Sequence, residues 1–500
     1  MIQIRDKAYH KNTDTYTMSE MGIPGIVLME RAAYNLAYEL TLHVKKTDRI
    51  IAVCGSGNNG GDGIAAARIL HLMGYCCDVL LVRDGDGLTQ ETKQQLMIAQ
   101  NTGVVVYDYE DSGRIQFSSY NAIIDAIFGI GLSREIRDPY RSLIHQMNDS
   151  GVLVISADIP SGIDADTGTV HGVAVKADVT VSFGYGKPGL YLYPGASYAG
   201  RVMVTEIGFV PCGAPEYKMF AYEKLSELPL PDRKANSHKG SYGKILVIAG
   251  FEEMSGACCM AAEAAYRCGA GLVRVFTSED SKRALQARTP ELMVSSYEKA
   301  HWETELAERI AWSDVIVIGP GLGTGSFARR ALELVLSAKE KQVVFDADAL
   351  NLLEGNINCV PAGSVLTPHM AELSRLLGIP VEEIKKDRIG VLKNHGIRED
   401  IVLICKDART IIFQGKRICI NLNGNSGMAT GGSGDVLSGI MAAMLSSGME
   451  GYTAACAAVR IHAEAGDMAA CELSEYSMLA TDIIAKLPQV FLGIVGNTNG

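Results

Sequence analysis

The run of residues 423–439 combines a glycine-rich turn with a single carboxylate, a pattern suited to phosphate chemistry. It reads Asn-Gly-Asn-Ser-Gly-Met-Ala-Thr-Gly-Gly-Ser-Gly-Asp-Val-Leu-Ser-Gly, and six of its 17 residues are glycine. Apolar residues after Asp435 recur at helical spacing, which places this carboxylate in the first turn of a predicted helix. Free N–H groups at a helix start bind phosphate, glycines allow close approach, and Asp435 could take a proton from a nearby hydroxyl. The alternative is a structural turn with an acidic first-turn residue.

A second glycine-rich turn follows the apolar segment 49–54, which has the composition of a buried parallel strand. The turn, residues 55–63, reads Gly-Ser-Gly-Asn-Asn-Gly-Gly-Asp-Gly, and a helix is predicted over 64–72. Its glycines satisfy the dinucleotide-binding spacing G-x-G-x-x-G. A plain dehydrogenase is therefore an alternative, with Asp84 at the end of the next strand as its ribose-binding acid. Two asparagines and Asp62 in the turn indicate polar contacts beyond a pyrophosphate.

Two later strands also end in side chains with oxygen ligands. The segment 122–126 ends near Asp125 and a glycine turn, and the segment 152–157 is followed by Asp158 and Ser161. Ligands of parallel sheets bind beyond the carboxyl ends of the strands, so we expect these side chains and Asn59 to cluster. Such oxygen ligands suit a hard cation. Any one of the aspartates could instead cap the following helix.

The elements that must position these residues form two α/β domains. Strands and helices alternate in both halves, which predicts mostly parallel sheets covered on both faces. No repeat relates the two halves. A proline-rich stretch separates them, and it predicts a first domain over residues 1–211, a linker over 212–232 and a second domain over 233–500.

Composition excludes several classes of function. A net charge of −11 argues against nucleic-acid binding, because phosphate backbones require a basic face. No apolar run approaches the length of a membrane span, and the first residues lack the pattern of a secretory signal. The 12 cysteines are scattered, which indicates reduced thiols and a cytoplasmic protein. We expect a homo-oligomer that binds small molecules and neither nucleic acid nor membrane.

The second half resembles a known enzyme family. Residues 431–439 resemble the phosphate loop of ribokinase-like phosphotransferases, and with 423–425 and 427–430 they are similar to its NAD(P)H-hydrate dehydratase branch. The resemblance implies a ribokinase-like α/β sandwich. It implies that Asp435 is catalytic and that the amides of 432–434 stabilise the transferred phosphate. A His such as His369 is more often structural, but the family pattern makes it a substrate contact. The implied substrate contacts are Ala257, Gly323, His369 and Asp435, and the implied nucleotide contacts are Lys406, Asp407, Ala408, Arg409, Thr410 and Gly434.

The first half, over about residues 5–210, resembles the NAD(P)H-hydrate epimerase family. The motifs at 22–24, 28–32, 55–63, 122–132 and 152–164 carry the resemblance, which implies a Rossmann-like doubly wound sheet. It implies that Asp158 binds the substrate and is the acid/base residue, and that Asn59, Asp125 and Ser161 hold a potassium ion. The other implied substrate contacts are Asn58, Asn59, Gly60, Gly61, Asp62, Gly129, Ile130, Gly131, Leu132, Ser133, Arg134 and Glu135.

The order of the two halves indicates a fused repair enzyme for hydrated NADH and NADPH. The first domain would interconvert the R and S epimers of the hydrate. The second would dehydrate the S epimer by phosphorylating its hydroxyl and eliminating phosphate, with ADP as donor, ATP left open, and Mg²⁺ accompanying the nucleotide. Two alternatives remain open. One is a small-molecule kinase of the hydroxymethylpyrimidine type fused to a dinucleotide-binding domain, and the other is a non-catalytic nucleotide-binding protein.

Overall fold

The computed structural model describes residues 1–83, 87–110, 115–251, 253–298, 300–353 and 355–496. The chain forms two compact units, Ile2–Lys218 and Met219–Gly500, with Met1 grouped with the second. Each unit contains its own sheet and core. In the described part of the chain, no helix is both long and apolar enough to cross a membrane.

The first unit is a parallel sheet with helices on both faces. The strands of this sheet are β2 (Arg49–Cys54), β3 (Cys76–Leu81), β4 (Val105–Asp108), β5 (Ala122–Ala126), β6 (Leu153–Ala157), β7 (Val179–Phe183) and β8 (Arg201–Thr205), and the short strand β1 (Ile2–Ile4) lies outside it. Its helices are α1 (Lys7–Ser19), α2 (Gly25–Thr41), α3 (Asn58–Leu72), α4 (Gln90–Asn101), α5 (Tyr140–Asp149), α6 (Pro188–Tyr191) and α7 (Ala196–Ala199).

The sheet order is β4-β3-β2-β5-β6-β7-β8, and every neighbouring pair is parallel. With β2 as the first strand, this is the Rossmann order, so the predicted Rossmann-like doubly wound sheet is confirmed. One apolar layer contains α2 and α3, and another contains α5. The order reverses between β2 and β5, where a crevice forms at the carboxyl ends of the strands.

Helix α3 begins earlier than the sequence suggests. The pattern predicted a helix over 64–72, whereas α3 starts at Asn58, so residues 58–62 are helical rather than part of a loop. The first turns of α3 consist of asparagine, glycine and aspartate, so they do not show the helical spacing of apolar residues. A Cβ on Gly60 would lie 1.9 Å from the Gly55 carbonyl oxygen. Glycine is therefore required for α3 to pack against the turn that precedes it.

The second unit has a longer, mixed sheet. Its strands are β9 (Lys218–Ala221), β10 (Lys244–Ile248), β11 (Leu272–Thr277), β12 (Met293–Ser296), β13 (Val315–Ile318), β14 (Gln342–Phe345), β15 (Val365–Leu366), β16 (Val402–Cys405), β17 (Ile411–Gln414) and β18 (Arg417–Ile420). Its helices are α8 (Ser255–Arg267), α9 (Glu279–Arg288), α10 (Trp302–Trp312), α11 (Ser326–Ser337), α12 (Asp348–Leu352), α13 (Met370–Leu377), α14 (Val381–Lys386), α15 (Arg388–Asn394), α16 (Ser433–Ser446), α17 (Gly451–Leu473) and α18 (Ala480–Gly496).

The strand order is β9-β18-β17-β16-β15-β14-β13-β10-β11-β12. Pairs from β16 through β12 are parallel, and β17 and β18 add an antiparallel hairpin. Strand β9 lies inside residues 212–232, the segment predicted to be a linker.

Helices α8 and α16 pack closely in the core of this unit. A Cβ on Gly439 would lie 2.1 Å from the carbonyl oxygen of Ala261, so only glycine permits this approach. Alanines on α8 and apolar residues on α16 fill the same core cluster. This packing fixes the axis of α16 and hence the position of its first turn, which bears Asp435.

Candidate active sites

A cavity of about 900 Å³ opens at the carboxyl ends of the strands in the first unit. The structure brings most of the predicted epimerase residues to this cavity. Gly60, Gly61 and Glu135 do not line it: the two glycines are buried in α3, and Glu135 forms an ion pair with Arg141 at 3.4 Å. Asp84, the acid of the dehydrogenase alternative, lies outside the described residues. The predicted residues that line the cavity are Asn58, Asn59, Asp62, Gly129, Ile130, Gly131, Leu132, Ser133, Arg134 and Asp158.

Asp158 is held in a strained and tightly bonded position. Its φ of 66° lies in the left-handed region, which is uncommon for a residue other than glycine. Its Oδ1 accepts a hydrogen bond from the backbone N–H of Phe183 at 3.0 Å and forms an ion pair with Lys187 Nζ. The strain and the two partners fix the direction of this carboxylate at the cavity wall.

Lys187 is a functional candidate that the sequence reasoning missed. Its side chain is fully buried, and Nζ also donates to Ser182 Oγ at 2.9 Å and to the Phe183 carbonyl at 3.2 Å. Burial lowers the pKa of Lys187, while the negative charge of Asp158 opposes that effect. A lysine in the Gly-Lys-Pro-Gly turn that follows the apolar strand β7 was the signal available in the sequence.

Two further ionisable side chains line the cavity, and the pKa of each is shifted from its ordinary value. Burial raises the pKa of Asp62 well above its ordinary value, and the negative charges of Asp158 and Asp14 add to the effect. Burial, reinforced by the charge of Lys187, lowers the pKa of His10 to about 2. The cavity therefore presents a neutral His10 at neutral pH, together with an aspartate, Asp62, that holds its proton more tightly than usual. His10 lies on α1, and the sequence analysis did not identify it.

Asp125 and Ser161, two of the predicted potassium ligands, are in direct contact. Ser161 donates to Asp125 through Oγ at 2.6 Å and through its backbone N–H at 2.9 Å, and Ser156 Oγ donates at 2.8 Å. Burial raises the pKa of Asp125, and the bonds from Ser161 and Ser156 oppose the shift. Asn59 Nδ2 is buried and has no hydrogen-bond partner among the described residues. The donor set itself fits a potassium ion, because the Asp125 carboxylate, the Ser161 hydroxyl and the Asn59 amide oxygen are hard oxygen ligands.

In the second unit, the glycine-rich run begins helix α16 as predicted. Gly432 is the residue before the helix, with a left-handed φ of 93°. A Cβ there would lie 2.4 Å from the Met260 side chain, so glycine is needed for both the turn and the packing. The upstream part of the run is tied to α17, because Asp467 accepts from the Gly424 N–H at 3.0 Å and from Asn425 Nδ2 at 2.9 Å.

Asp435 lies in the first turn of α16, and its pKa is close to neutral pH. Burial raises the pKa of Asp435 to about 7. The negative charges of Asp346 and Asp348 contribute to the rise, and the positive charge of Lys406 opposes it. A carboxylate with this pKa can exchange a proton at physiological pH, as a general base requires.

Lys406 lies beside the turn and pairs with a second buried carboxylate. Its Nζ is 2.8 Å from Asp346 Oδ1, and a Cβ placed on Gly434 would be 3.2 Å from the same Nζ. Burial alone would lower the pKa of Lys406, but the charges of Asp346 and Glu372 raise it above the ordinary value. The structure therefore brings Lys406, Gly434 and Asp435 together.

The other residues predicted to contact the substrate lie at the same edge of the sheet, and they make different structural contacts there. A Cβ on Gly321 would lie 3.0 Å from Ala257, and Gly323 donates its N–H to Asp348 at 2.8 Å. His369 caps helix α13, because its Nδ1 accepts from the backbone N–H groups of Ala371 at 3.1 Å and Glu372 at 3.4 Å. Its Nε2 lies 3.3 Å from Glu372 Oε1, and the side chain as a whole is half exposed.

The segment from Asp407 to Thr410 forms the turn between β16 and β17. Asp407 pairs with Arg388 at 2.9 Å, Arg409 donates to the Leu422 carbonyl, and the Thr410 hydroxyl donates to the Asp407 carbonyl at 3.3 Å. These contacts shape the turn and leave Lys406 as the cation of the segment that faces Gly434.

Comparison with known proteins matches both halves of the chain. Residues 245–489 match the family described as NAD(P)H-hydrate dehydratase, and residues 25–189 match the family described as YjeF-related protein N-terminus. The chain is 35% identical over 494 residues to the bifunctional NAD(P)H-hydrate repair enzyme of Thermofilum pendens, covering 96% of this chain and 94% of that protein. It is 36% identical over 444 residues to the enzyme of that name from Escherichia coli, covering 88% and 84%. A solved structure of a hypothetical protein from Streptococcus mutans is 31% identical, covers 54% of this chain and 97% of that chain, and has a TM-score of 0.50.

Proposed function

Because the chain belongs to the family of bifunctional NAD(P)H-hydrate repair enzymes, we propose that it returns hydrated NADH and NADPH to the active coenzymes in two steps. The first unit is the epimerase, an isomerase, and the second is the dehydratase, a lyase with the predicted ribokinase-like α/β sandwich. The observation that carries the proposal is the match to such enzymes over nearly the whole of both chains.

We propose that the epimerase reaction takes place in the 900 Å³ cavity. The hydrated carbon carries a hydroxyl next to the ring nitrogen, so inversion requires a bond at that carbon to break and re-form, with a proton donated and a proton accepted. Asp158, paired with Lys187, is suited to accept a proton, and Asp62, whose pKa burial raises well above its ordinary value, is suited to donate one. A carboxyl group with a pKa raised by a buried environment is typical of a general acid.

A potassium ion would be held in the epimerase unit by Asn59, Asp125 and Ser161. Its chemistry would be the supply of a positive charge beside the turn 129–134, where it would favour the anionic nucleotide. The chain's own groups orient the substrate: the first turn of α3 offers backbone N–H groups to a phosphate, and residues 129–134 also line the cavity.

We propose that the dehydratase reaction takes place at the start of α16. Asp435 takes the proton of the substrate hydroxyl while the hydroxyl oxygen attacks the terminal phosphorus of ADP, and AMP leaves. The bond between carbon and the phosphate oxygen then breaks, a proton leaves the adjacent carbon, and the double bond of NAD(P)H is restored. Phosphorylation turns a poor leaving group into a good one. The N–H groups of 432–434 and Lys406 balance the charge on the phosphate that moves.

The remaining assignments are also proposals. ADP is the donor, with ATP as the second candidate, and Mg²⁺ arrives with the nucleotide phosphates. The domains are 1–211 and 233–500, joined by 212–232. The protein is a cytoplasmic homo-oligomer whose ligands are NADH hydrate, NADPH hydrate and ADP, with no nucleic acid or membrane partner. Free thiols at every cysteine of the described chain support a reducing compartment.

One assay tests the proposed function. The purified chain is incubated with separated S and R hydrates of NADH, with ADP, with ATP or with no nucleotide, and the absorbance band of reduced nicotinamide is followed. We expect NADH to be recovered from the S epimer only when nucleotide is present. Recovery of NADH from the R epimer should be limited by the rate of epimerisation. Accumulation of a stable phosphorylated product would instead support the small-molecule kinase, and binding of ADP without turnover would support the non-catalytic alternative.

A further inference from the structure

Asp346 is a buried carboxylate that touches both halves of the dehydratase site. It is 1% exposed, and its Oδ1 lies 2.8 Å from Lys406 Nζ. Its Oδ2 accepts a hydrogen bond from Ser438 Oγ at 2.7 Å, one turn beyond Asp435 on α16. The Thr367 hydroxyl lies nearby and donates to the Phe345 carbonyl at 3.3 Å. One carboxylate therefore links the end of β16 to the helix that begins at the glycine turn.

The backbone around Asp346 is shaped to direct two carboxylates apart. Strand β14 ends at Phe345, and Ala347 has a φ of 46°, a left-handed conformation that is uncommon for alanine. The turn sends Asp346 towards Lys406 and Asp348 towards the N–H of Gly323, at 2.8 Å. Such strain persists only where the surroundings enforce it, and it is concentrated at functional sites.

The contact partner of Asp346 faces the anion-binding turn. A Cβ on Gly434 would be 3.2 Å from Lys406 Nζ and 4.0 Å from Asp346 Oδ2. Lysine is a flexible point charge, and its position near a ligand depends on what holds its ammonium group. Here the partner that holds it is Asp346, which is itself anchored by Ser438.

We propose that Asp346 is a positioning residue for phosphoryl transfer. It fixes the ammonium group of Lys406 against the Gly432–Gly434 turn and, through Ser438, ties that lysine to the helix that bears Asp435. The proposal rests on the proposed dehydratase function of this site, and it assigns Asp346 no contact with the substrate.

Asp346 also acts on the charge balance around Asp435. The groups that act on Asp435 are Asp346 at the end of β14, Asp348 on α12 and Lys406 at the end of β16. Glu372 on α13 and His462 on α17 interact with Lys406. Removing the charge of Asp346 removes a negative neighbour of Asp435 and frees the charge of Lys406. Both changes lower the proton affinity of Asp435.

The test compares Asp346→Asn with Asp348→Asn in the full chain. Each variant removes one negative charge near Asp435, but only Asp346 contacts Lys406. We expect Asp346→Asn to lower kcat/KM for ADP by about 100-fold, because small misplacements in an active site have effects of that order. We expect both variants to move the acid limb of the pH profile about one pH unit lower. Asp348→Asn should change KM for ADP far less than Asp346→Asn does.

A double-mutant cycle with Lys406→Met tests whether Asp346 acts through the lysine. In the Lys406→Met background, we expect Asp346→Asn to lower kcat/KM for ADP by less than a further factor of three. The reason is that the interaction between the two residues is already lost in that background. Full additivity of the two losses would overturn the proposal. So would a folded Asp346→Asn protein, with normal epimerase activity, whose kcat/KM for ADP is within threefold of the wild type.

Ser438→Ala gives a milder variant in case Asp346→Asn does not fold. It keeps both charges and removes one hydrogen bond to the charged Asp346 carboxylate, so we expect a loss of about three- to tenfold in kcat/KM for ADP. An unchanged kcat/KM for ADP in Ser438→Ala would contradict the proposed link to α16. If the wild-type chain itself shows no ADP-dependent recovery of NADH, the proposed function fails instead, and the epimerase assay distinguishes that result from loss of folding.

Discussion

The two active-site candidates contain the same parts but pair them differently. Each has a glycine turn, an aspartate placed to react and a lysine close by. In the epimerase unit, Lys187 is paired directly with Asp158, the residue proposed to react. In the dehydratase unit, Lys406 is paired with Asp346, and Asp435 lies next to two other carboxylates.

This difference concerns the reactive carboxylates themselves. A lysine in direct contact fixes the direction of the Asp158 carboxylate. Asp435 forms no ion pair with a lysine among the described residues, and burial and like charges raise its pKa to about 7. The comparison shows that a lysine can hold the reactive aspartate directly, or can hold a neighbouring carboxylate and leave the reactive one able to gain and lose a proton near neutral pH.

The largest expected effect is that of Asp435→Ala on dehydration. Removing a general base lowers rates by about 10²–10⁴-fold, and the recovery of NADH from the S hydrate should fall by that factor. Epimerisation of the R and S hydrates by the same protein should be unchanged, and it is the control for folding. Near-normal recovery of NADH would show that Asp435 is not the general base, and the contrast between the two sites would no longer hold.

Asp158→Ala is the matching change in the other unit. We expect interconversion of the epimers to fall about 10²–10³-fold, because the group proposed to move the proton is lost. ADP-dependent dehydration of pure S hydrate should persist. The measurement is chromatographic separation of the two epimers over time. Unchanged interconversion would show that Asp158 serves only to pair with Lys187.

The pH dependence of the two reactions should also differ. Asp435 must be ionised to accept a proton, so below its pKa of about 7 the value of kcat/KM for dehydration should fall about tenfold per pH unit. Above pH 7, this group no longer limits the rate. Epimerisation should lack this limb and give the internal comparison. A flat dehydration profile between pH 5 and 8 would contradict the assignment of Asp435 as the base.

The sequence was sufficient to predict the scaffold and the turns, but not the lysine pairs. Continuous apolar runs marked β2, β5 and β6, and the residues after them identified where ligands bind. Lys187 follows Asp158 by 29 residues, and Lys406 follows Asp346 by 60. Each contact depends on which strands are neighbours and on their register, as when Ile155 pairs with Val179. Periodicity along one strand or helix carries no information about such pairs.

The smallest and sharpest contrast concerns stability. Asp435 has a raised pKa in the folded protein, so its titration has no effect on stability below the unfolded pKa of 3.8, lowers stability progressively between 3.8 and about 7, and has its full destabilising effect above pH 7. Asp435→Asn should therefore stabilise the second unit at pH 8, by about 1–3 kcal/mol, and the gain should vanish near pH 4.

Asp158→Asn should act in the opposite direction, because it leaves the fully buried Lys187 without its carboxylate partner. Breaking a buried pair destabilises by about 3–5 kcal/mol, less where the lysine gives up its proton. Thermal unfolding of the two variants at pH 8 measures both effects. Shifts of the same sign would show that the two aspartates do not differ in the way their lysine partners imply.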